Sequence, residues 1–258
     1  MPATLLQPTA LRRQLRLASR VRAEVARLEG QGGEDPLLLA DLVRAGTRWR
    51  LSGEERRWVA RIEAERRRLE SSPDVVHRSG DEPLTVADVS RASQPPRGGR
   101  FLHAAVRTFR PSRGVELGTC LGVSAAYQAA AMAADGDGRL VTIEGYEELA
   151  AQARVVWDRL GLRNVEVVVG RFGQVLEPLV AADPVDYAYI DGNHHEEPTV
   201  GYFTVLRTHC DRRTLLVFDD IRWSDGMRAA WDRIHTDPAV TAHADLGRLG
   251  LVIVRPGH

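Results

Sequence analysis

Beyond about residue 100, hydrophobic residues fall into short continuous runs that alternate with longer amphipathic stretches. Continuous apolar runs are typical of strands buried on both faces of a parallel sheet, whereas apolar residues spaced three and four apart are typical of helices. The pattern predicts strands at GVELG, LVTIEG, VEVVVG, VDYAYID and TLLVFDD, each followed by a helix. Strand and helix alternating five times predict an α/β fold, a doubly wound and mainly parallel sheet of the Rossmann-like type.

The final stretch, AVTAHADLGRLGLVIV, interrupts this alternation with two strand-like runs on either side of a short turn. Two strands joined by so short a connection must run in opposite directions. We therefore expect seven strands, of which the last is antiparallel.

The first 75 residues predict a helical extension, with apolar residues at helical spacing and breaks at GQGGEDP and LSG. Ser52 with Glu55 three positions later forms the pattern of a capping box, which marks a helix start. The apolar face of Trp58, Ile62 and Leu69 is narrow, so we expect this helix to lie on the surface of a larger body. We expect the extension to act as a lid or a dimerisation element, which would make the protein a homodimer.

Residues 76–99 contain Pro, Ser, Gly and mixed charge and end in SQPPRGG, which predicts a linker or a loop covering the site. Residues 100–258 form the expected ligand-binding domain.

Composition narrows the class of protein. The 258 residues carry no net formal charge, so no global field favours nucleic acid or an anionic membrane as a partner. No apolar run reaches the roughly 20 residues that span a bilayer, and the N-terminus lacks a signal-peptide pattern, so we expect a cytoplasmic protein. Two cysteines cannot form a disulfide framework or a zinc cluster.

All 35 basic residues are arginine. The absence of lysine excludes Schiff-base chemistry, pyridoxal phosphate catalysis and a Walker-type phosphate site, because each depends on a lysine amine. A GC-rich genome accounts for the composition, but the chemical exclusion holds whatever its cause.

Polar and glycine residues follow the predicted strands at the ends where an open α/β sheet binds its ligand. Glu144 lies 22 positions after Gly122, as does the ribose-binding acid of nucleotide-type folds. The other candidates are the Gly118–Gly122 turn, Gly170 with Arg171, Asp191 with His194, and Asp219 with Asp220.

Four segments, VELGTCLGVSAAY, TIEGY, YIDGNHH and VFDDIRWSDGMRAAW, together resemble the class I S-adenosylmethionine-dependent methyltransferases. The sequence is most similar to the small-molecule O-methyltransferases related to catechol and macrolide-sugar O-methyltransferases. The resemblance covers residues ~95 to 258 and is specific for the methyl donor, far less so for the acceptor. It implies an S-adenosylmethionine cofactor and a small-molecule acceptor.

Carried over to this chain, the resemblance implies a role for each candidate. Asp191, Asp219 and Asp220 match three oxygen ligands of a divalent cation such as Mg²⁺, and His194 matches the general base, which is lysine in the catechol enzymes. The positions that match the donor site are Glu116, Gly118, Thr119, Cys120, Gly122, Ser124, Glu144, Gly145, Tyr146, Gly170, Arg171, Phe172 and Asp191.

Several alternatives stay open at this point. Catechol enzymes have Asp-Asn where this chain has Asp219-Asp220, many relatives need no metal, and both acids could instead cap a helix or turn. His195 is expected to be a polar residue at a helix entry, and Trp223 and Met227 either wall an acceptor pocket or pack in the core. A nicotinamide-dependent oxidoreductase is disfavoured by the missing third glycine, but an inactive binding protein or an N-methyltransferase would fit.

Overall fold

The computed structural model describes residues 8–48, 51–80 and 82–256. Its N-terminal part comprises α1 (Pro8–Gln31), α2 (Glu34–Thr47), α3 (Gly53–Glu70), β1 (Val75–Ser79), β2 (Glu82–Thr85) and α4 (Val86–Ser90). The predicted capping box is confirmed, because the Glu55 backbone N–H donates to Ser52 Oγ over 3.2 Å and the Ser52 N–H donates to the Glu55 carboxylate over 2.6 Å.

Strands and helices alternate through the rest of the chain. They are α5 (Pro96–Phe109), β3 (Arg113–Leu117), α6 (Val123–Asp135), β4 (Arg139–Glu144), α7 (Glu147–Leu160), β5 (Val165–Val169), α8 (Phe172–Ala182), β6 (Tyr187–Ile190), α9 (Glu196–Thr208), β7 (Thr214–Phe218), α10 (Asp225–His235), β8 (Val240–Asp245) and β9 (Gly250–Val254). The sheet has the order β5-β4-β3-β6-β7-β9-β8, and β9 runs antiparallel to both neighbours. The predicted seven-stranded Rossmann-like sheet with an antiparallel last strand is confirmed.

Both faces of the sheet carry an apolar core, which explains why the strands are continuously hydrophobic. Tyr189 and Val217 point into one core, whereas Ile190 and Phe218 point into the other. All residues of β6 and β7 are buried. Strands covered on both faces by helices need apolar side chains at every position.

The segment predicted as a linker or covering loop has regular structure. β1 and β2 pair as an antiparallel two-stranded hairpin, and α5 begins at Pro96 within the Pro- and Gly-rich stretch. Proline suits the first turn of a helix, because its missing N–H has no partner there. Gly99 allows close packing, since a Cβ at this position would lie 2.3 Å from the ring of Tyr127.

Among the helices of the described ranges, none combines the length and the apolar character needed to cross a bilayer.

A buried ion pair anchors α2 to the last two strands. Asp35 is 5% exposed and accepts from Arg255 Nε and Nη2, both over 2.7 Å, and from Thr241 Oγ1 over 2.6 Å. Burial pushes the pKa of Asp35 upward, but the bonds from Arg255 and Thr241 outweigh it and leave the pKa below its usual value. A lowered folded-state pKa stabilises the fold at neutral pH, and this contribution is lost as the pH falls through that pKa.

Replacing Asp35 with asparagine should therefore lower the melting temperature at pH 7 by roughly 3 to 8 °C, because hydrogen bonds to a charged group are lost in a buried site. Glu34→Gln is the matched control, since exposed Glu34 also contacts Arg255, and it should change the melting temperature little. Thermal denaturation of both variants gives the measurement. Equal melting temperatures would contradict the anchoring role of Asp35.

Candidate functional site

The carboxyl ends of the central strands lie side by side at the point where the strand order reverses. From β3, the chain builds β4 and β5 to one side and β6 and β7 to the other. Backbone bonds continue past the strand ends, because the Asp191 N–H donates to the Leu117 carbonyl and the Asp219 N–H donates to the Ile190 carbonyl, each over 2.9 Å. Ligands of open α/β sheets bind in the crevice at such a reversal.

Gly118 joins the two halves of the crevice. It has a φ of +104°, and a Cβ at this position would lie 2.1 Å from the carbonyl oxygen of Asp191. Neither that backbone conformation nor that contact is compatible with a side chain. The end of β3 therefore touches the end of β6 through backbone alone.

The turn after β3 is rigidly held. Thr119 Oγ1 lies 2.7 Å from Thr142 Oγ1, and the Gly122 carbonyl accepts from Trp157 Nε1 over 2.9 Å. Burial raises the pKa of the Cys120 thiol to about 12, so this residue is not a nucleophile at neutral pH. The turn presents backbone rather than reactive side chains.

Glu116 lies in β3, two residues before Gly118. Its side chain is fully buried and accepts from Gln128 Nε2 over 2.8 Å through Oε1, whereas Oε2 has no hydrogen-bond partner among the described residues. Burial raises its pKa to about 7. Gln128 of α6 thus holds the Glu116 carboxylate in the interior.

Glu144 ends β4 with its carboxylate turned toward the same loop. Its two oxygens accept from the backbone N–H groups of Cys120 over 2.8 Å and Tyr146 over 3.2 Å. Burial raises its pKa. Next to it Gly145 borders open space, and Tyr146 is half-exposed with its ring centroid 4.2 Å from that of His77 on the hairpin.

The end of β5 lies next to Glu144 at the end of β4. The Gly170 N–H donates to the Glu144 carbonyl over 2.8 Å, and exposed Arg171 precedes α8 as its N-cap. Phe172 packs edge-on against Tyr202, and a Cβ on Gly192 would lie 2.5 Å from the Phe172 ring. The candidates at the ends of β3, β4, β5 and β6 are thus brought together.

Asp191 and His194 form an acid and imidazole pair on the other half of the crevice. His194 Nε2 lies 3.6 Å from Asp191 Oδ1, which is within ion-pair range and just beyond a hydrogen bond. Burial and the neighbouring Asp219 charge raise the pKa of Asp191 to about 8. His195 is the exposed N-cap of α9 and makes no cap hydrogen bond, as expected of a polar residue at a helix entry.

Asp219 is fully buried and satisfied by protein groups. Arg248 donates to it through Nε over 2.8 Å and Nη2 over 2.9 Å, a two-pronged pair. The remaining donors are the backbone N–H of Asp220 at 2.8 Å, Gln94 Nε2 at 2.6 Å and Tyr189 Oη at 2.8 Å. Tyr189 Oη also lies 2.9 Å from Asp191 Oδ2, so it bridges the two carboxylates.

Backbone strain concentrates at this edge. Five described residues other than glycine have a positive φ, and four of them lie at the crevice: Cys120, Asn193, His194 and Asp220. Such conformations are uncommon and cluster at functional sites.

Sequence reasoning missed Arg248, Gln94, Tyr189 and His77. Arg248 had a detectable signal, because an antiparallel last strand must begin at the edge where the parallel strands end. Gln94 and His77 had none, since their segment predicts only a loop.

Two further candidates are placed by the loop after β7. Trp223 is 73% exposed, and its N–H donates to the Asp220 carbonyl over 2.9 Å. Met227 is buried and lies 3.5 Å from Thr199 Oγ1. Trp223 is thus available to a ligand, whereas Met227 packs in the core.

Comparisons with known proteins agree with this geometry. Residues 115–221 match the family model of a methyltransferase domain. Catechol O-methyltransferase of Niastella koreensis is 32% identical over 160 residues, which cover 61% of this chain and 69% of the relative.

Solved structures share the fold. An O-methyltransferase from Bacillus cereus in complex with SAH has a TM-score of 0.56 at 19% identity, with 84% of this chain and 97% of that chain covered. TomG from Streptomyces achromogenes, an O-methyltransferase involved in tomaymycin synthesis and solved with SAM, has a TM-score of 0.56 at 20% identity, with 84% and 96% covered.

Proposed function

The chain belongs to the class I S-adenosylmethionine-dependent O-methyltransferases, and we propose that it methylates a hydroxyl group of a small molecule with His194 as the general base. The contact between Gly118 and Asp191 is the observation that supports this most directly. This contact places the turn after β3, which we expect to bind the methyl donor, next to the loop after β6 that carries His194.

The residues on the β3 side fit the donor. Glycine backbone lines the turn, Glu144 places a carboxylate at the end of the second strand, and Tyr146 offers a half-exposed ring beside it. A carboxylate at this position can accept both hydroxyls of a ribose. S-adenosylmethionine, when bound, supplies a sulfonium methyl group for in-line displacement.

The β6 side supplies the base. His194 accepts the proton of the acceptor hydroxyl, whose oxygen lone pair forms the new bond to the methyl carbon as the carbon–sulfur bond breaks. Asp191 lies 3.6 Å from the imidazolium that results, and this positive charge favours ionisation of the carboxyl group, whose pKa is raised in the absence of the charge. Alignment of the two reactants can itself supply roughly 7 to 11 kcal/mol of the barrier reduction.

The predicted divalent metal does not fit this donor set. Mg²⁺ needs free carboxylate oxygens at octahedral positions, and the Asp219 carboxylate is already saturated by protein donors. Within the described residues, no group of three His, Cys, Asp or Glu side chains is arranged to hold a metal. No step of the mechanism is therefore assigned to Mg²⁺.

Calorimetric titration with S-adenosylhomocysteine, followed by transfer assays with isotope-labelled methyl donor and catechol-type, sugar and hydroxy-acid acceptors, tests the proposal. We expect micromolar or tighter binding and transfer to one acceptor class. Binding without transfer to any hydroxyl acceptor, but with transfer to amines, would refute the small-molecule hydroxyl proposal.

Glu144→Gln should weaken S-adenosylhomocysteine binding about 10- to 100-fold, because each hydrogen bond to a charged group is worth roughly 1.5 to 3 kcal/mol. Glu147→Gln, at the start of α7 and paired with exposed Arg154, is the matched control and should bind normally. Calorimetry on both variants gives the two affinities. Unchanged affinity in Glu144→Gln would remove Glu144 from the donor site.

A further inference from the structure

Three carboxylates converge at the acceptor side of the crevice, and one arginine offsets them. Arg248 Nε lies 2.8 Å from Asp219 Oδ1 and 3.1 Å from Asp220 Oδ1. Asp191 connects to the same cluster through Tyr189 Oη. The guanidinium of Arg248 thus lies among the three aspartates that the family resemblance assigns to a divalent cation.

The backbone of Arg248 is fixed by the fold. It lies in the turn between β8 and β9, where the Leu246 N–H donates to the Leu249 carbonyl over 2.9 Å. The Arg248 carbonyl accepts from the Ile221 N–H over 3.0 Å, which ties this turn to the loop after β7. Because β9 is antiparallel, it begins at the crevice edge and delivers Arg248 there.

The carboxylate of Asp219 has no capacity left for a metal. A carboxylate offers about four lone-pair sites. Five N–H and O–H donors already lie within 2.9 Å of its two oxygens, and two of them come from the rigid fork of Arg248. Such two-pronged pairs are among the stronger hydrogen-bonded contacts in proteins.

We propose that the Arg248 guanidinium occupies the cation position of this site, so that the enzyme holds its acceptor with a built-in organic cation in place of a divalent metal. The proposal deepens the proposed function and rests on it for the identity of the reaction.

The side chain of Arg248 is positioned to meet an acceptor. It is 45% exposed, and Nε and Nη2 are its only nitrogens that bond to the part of the chain described here. Nη1 therefore has N–H groups to donate to an acceptor oxygen. A guanidinium donates hydrogen bonds in fixed directions, whereas a metal would bind the oxygen as a ligand.

Titration of the protein with Mn²⁺ alone, followed by electron paramagnetic resonance of the free ion, tests the proposal without an acceptor. We expect the wild-type protein to show no saturable binding below about 1 mM, the weak end of protein cation sites. Once an acceptor is known, turnover should be equal in Mg²⁺ and in EDTA.

Arg248→Ala should gain Mn²⁺ affinity by at least about tenfold, because it leaves the carboxylates without their cation and with free lone pairs. Arg248→Lys keeps the charge and should gain little. Arg222→Ala is the matched control, since exposed Arg222 pairs with Asp245 rather than with the acids of the site. If Arg248→Ala does not fold, Arg248→Gln takes its place, because it retains a donor to Asp219.

Saturable micromolar Mn²⁺ binding by the wild type, abolished by Asp219→Asn, would overturn the proposal. So would a folded Arg248→Ala protein that binds no more Mn²⁺ than Arg222→Ala. These results do not depend on methyl transfer, whereas S-adenosylhomocysteine titration of the same wild-type sample tests the donor site separately.

Discussion

Replacement of Gly118 by alanine should reduce S-adenosylhomocysteine affinity by at least about 100-fold. The new methyl carbon would lie 2.1 Å from the Asp191 carbonyl oxygen, and the backbone of both residues is hydrogen-bonded to the sheet. One of the two strand ends must therefore move, which distorts the turn and the loop of His194 together. The overpacking and the left-handed backbone should also cost roughly 3 kcal/mol of unfolding free energy.

Gly161→Ala is the matched control for this experiment. Gly161 also has a positive φ, +72°, but a Cβ there meets no atom within 4 Å. It isolates the cost of the backbone conformation, about 1 kcal/mol, from the cost of the steric contact. Calorimetry and thermal denaturation of the two variants should show a small stability loss with normal affinity in Gly161→Ala. Normal affinity in Gly118→Ala would show that this turn does not bind the donor.

The type of the sheet, mainly parallel with an antiparallel last strand, could be predicted from sequence because its signals are local. Runs such as VDYAYID and TLLVFDD are apolar throughout, and only strands covered on both faces require this. The alternation of such runs with helices then leaves few topologies, since crossover connections are right-handed. The polar residues that follow each run, such as Asp191 and Asp219, share one edge of the sheet by that geometry alone.

The electrostatics of the site could not be predicted in the same way, because they depend on contacts between residues far apart in sequence. Gln94 lies 125 positions from Asp219 and reaches it only because α5 begins at Pro96 and packs against α6. Arg248 is one of 35 arginines, and composition gives no reason to single it out. The aspartates match a metal site in sequence, and the turn before the antiparallel last strand indicates that Arg248 lies at the same edge of the sheet. Its ion pairs with Asp219 and Asp220 become apparent only in the fold.

Replacement of His194 by alanine should reduce kcat about 10²- to 10⁴-fold, the usual contribution of a positioned general base. No lysine is present in the chain to substitute for it, and Cys120 is held as a thiol by its raised pKa. S-adenosylhomocysteine affinity should stay within about twofold of wild type, because the variant removes a proton acceptor and leaves the donor turn intact. Single-turnover transfer to the acceptor found for the wild type gives the measurement.

His195→Ala is the control that separates base catalysis from loop structure. His195 is adjacent, exposed and without a cap hydrogen bond, so its loss should leave kcat within about threefold of wild type. Added imidazole should restore part of the rate of His194→Ala and have no effect on His195→Ala. Only the His194→Ala variant has lost the base that takes the proton from the substrate hydroxyl. Full turnover in His194→Ala would instead mean that the acceptor loses its proton to solvent, and that alignment against the donor supplies the catalysis.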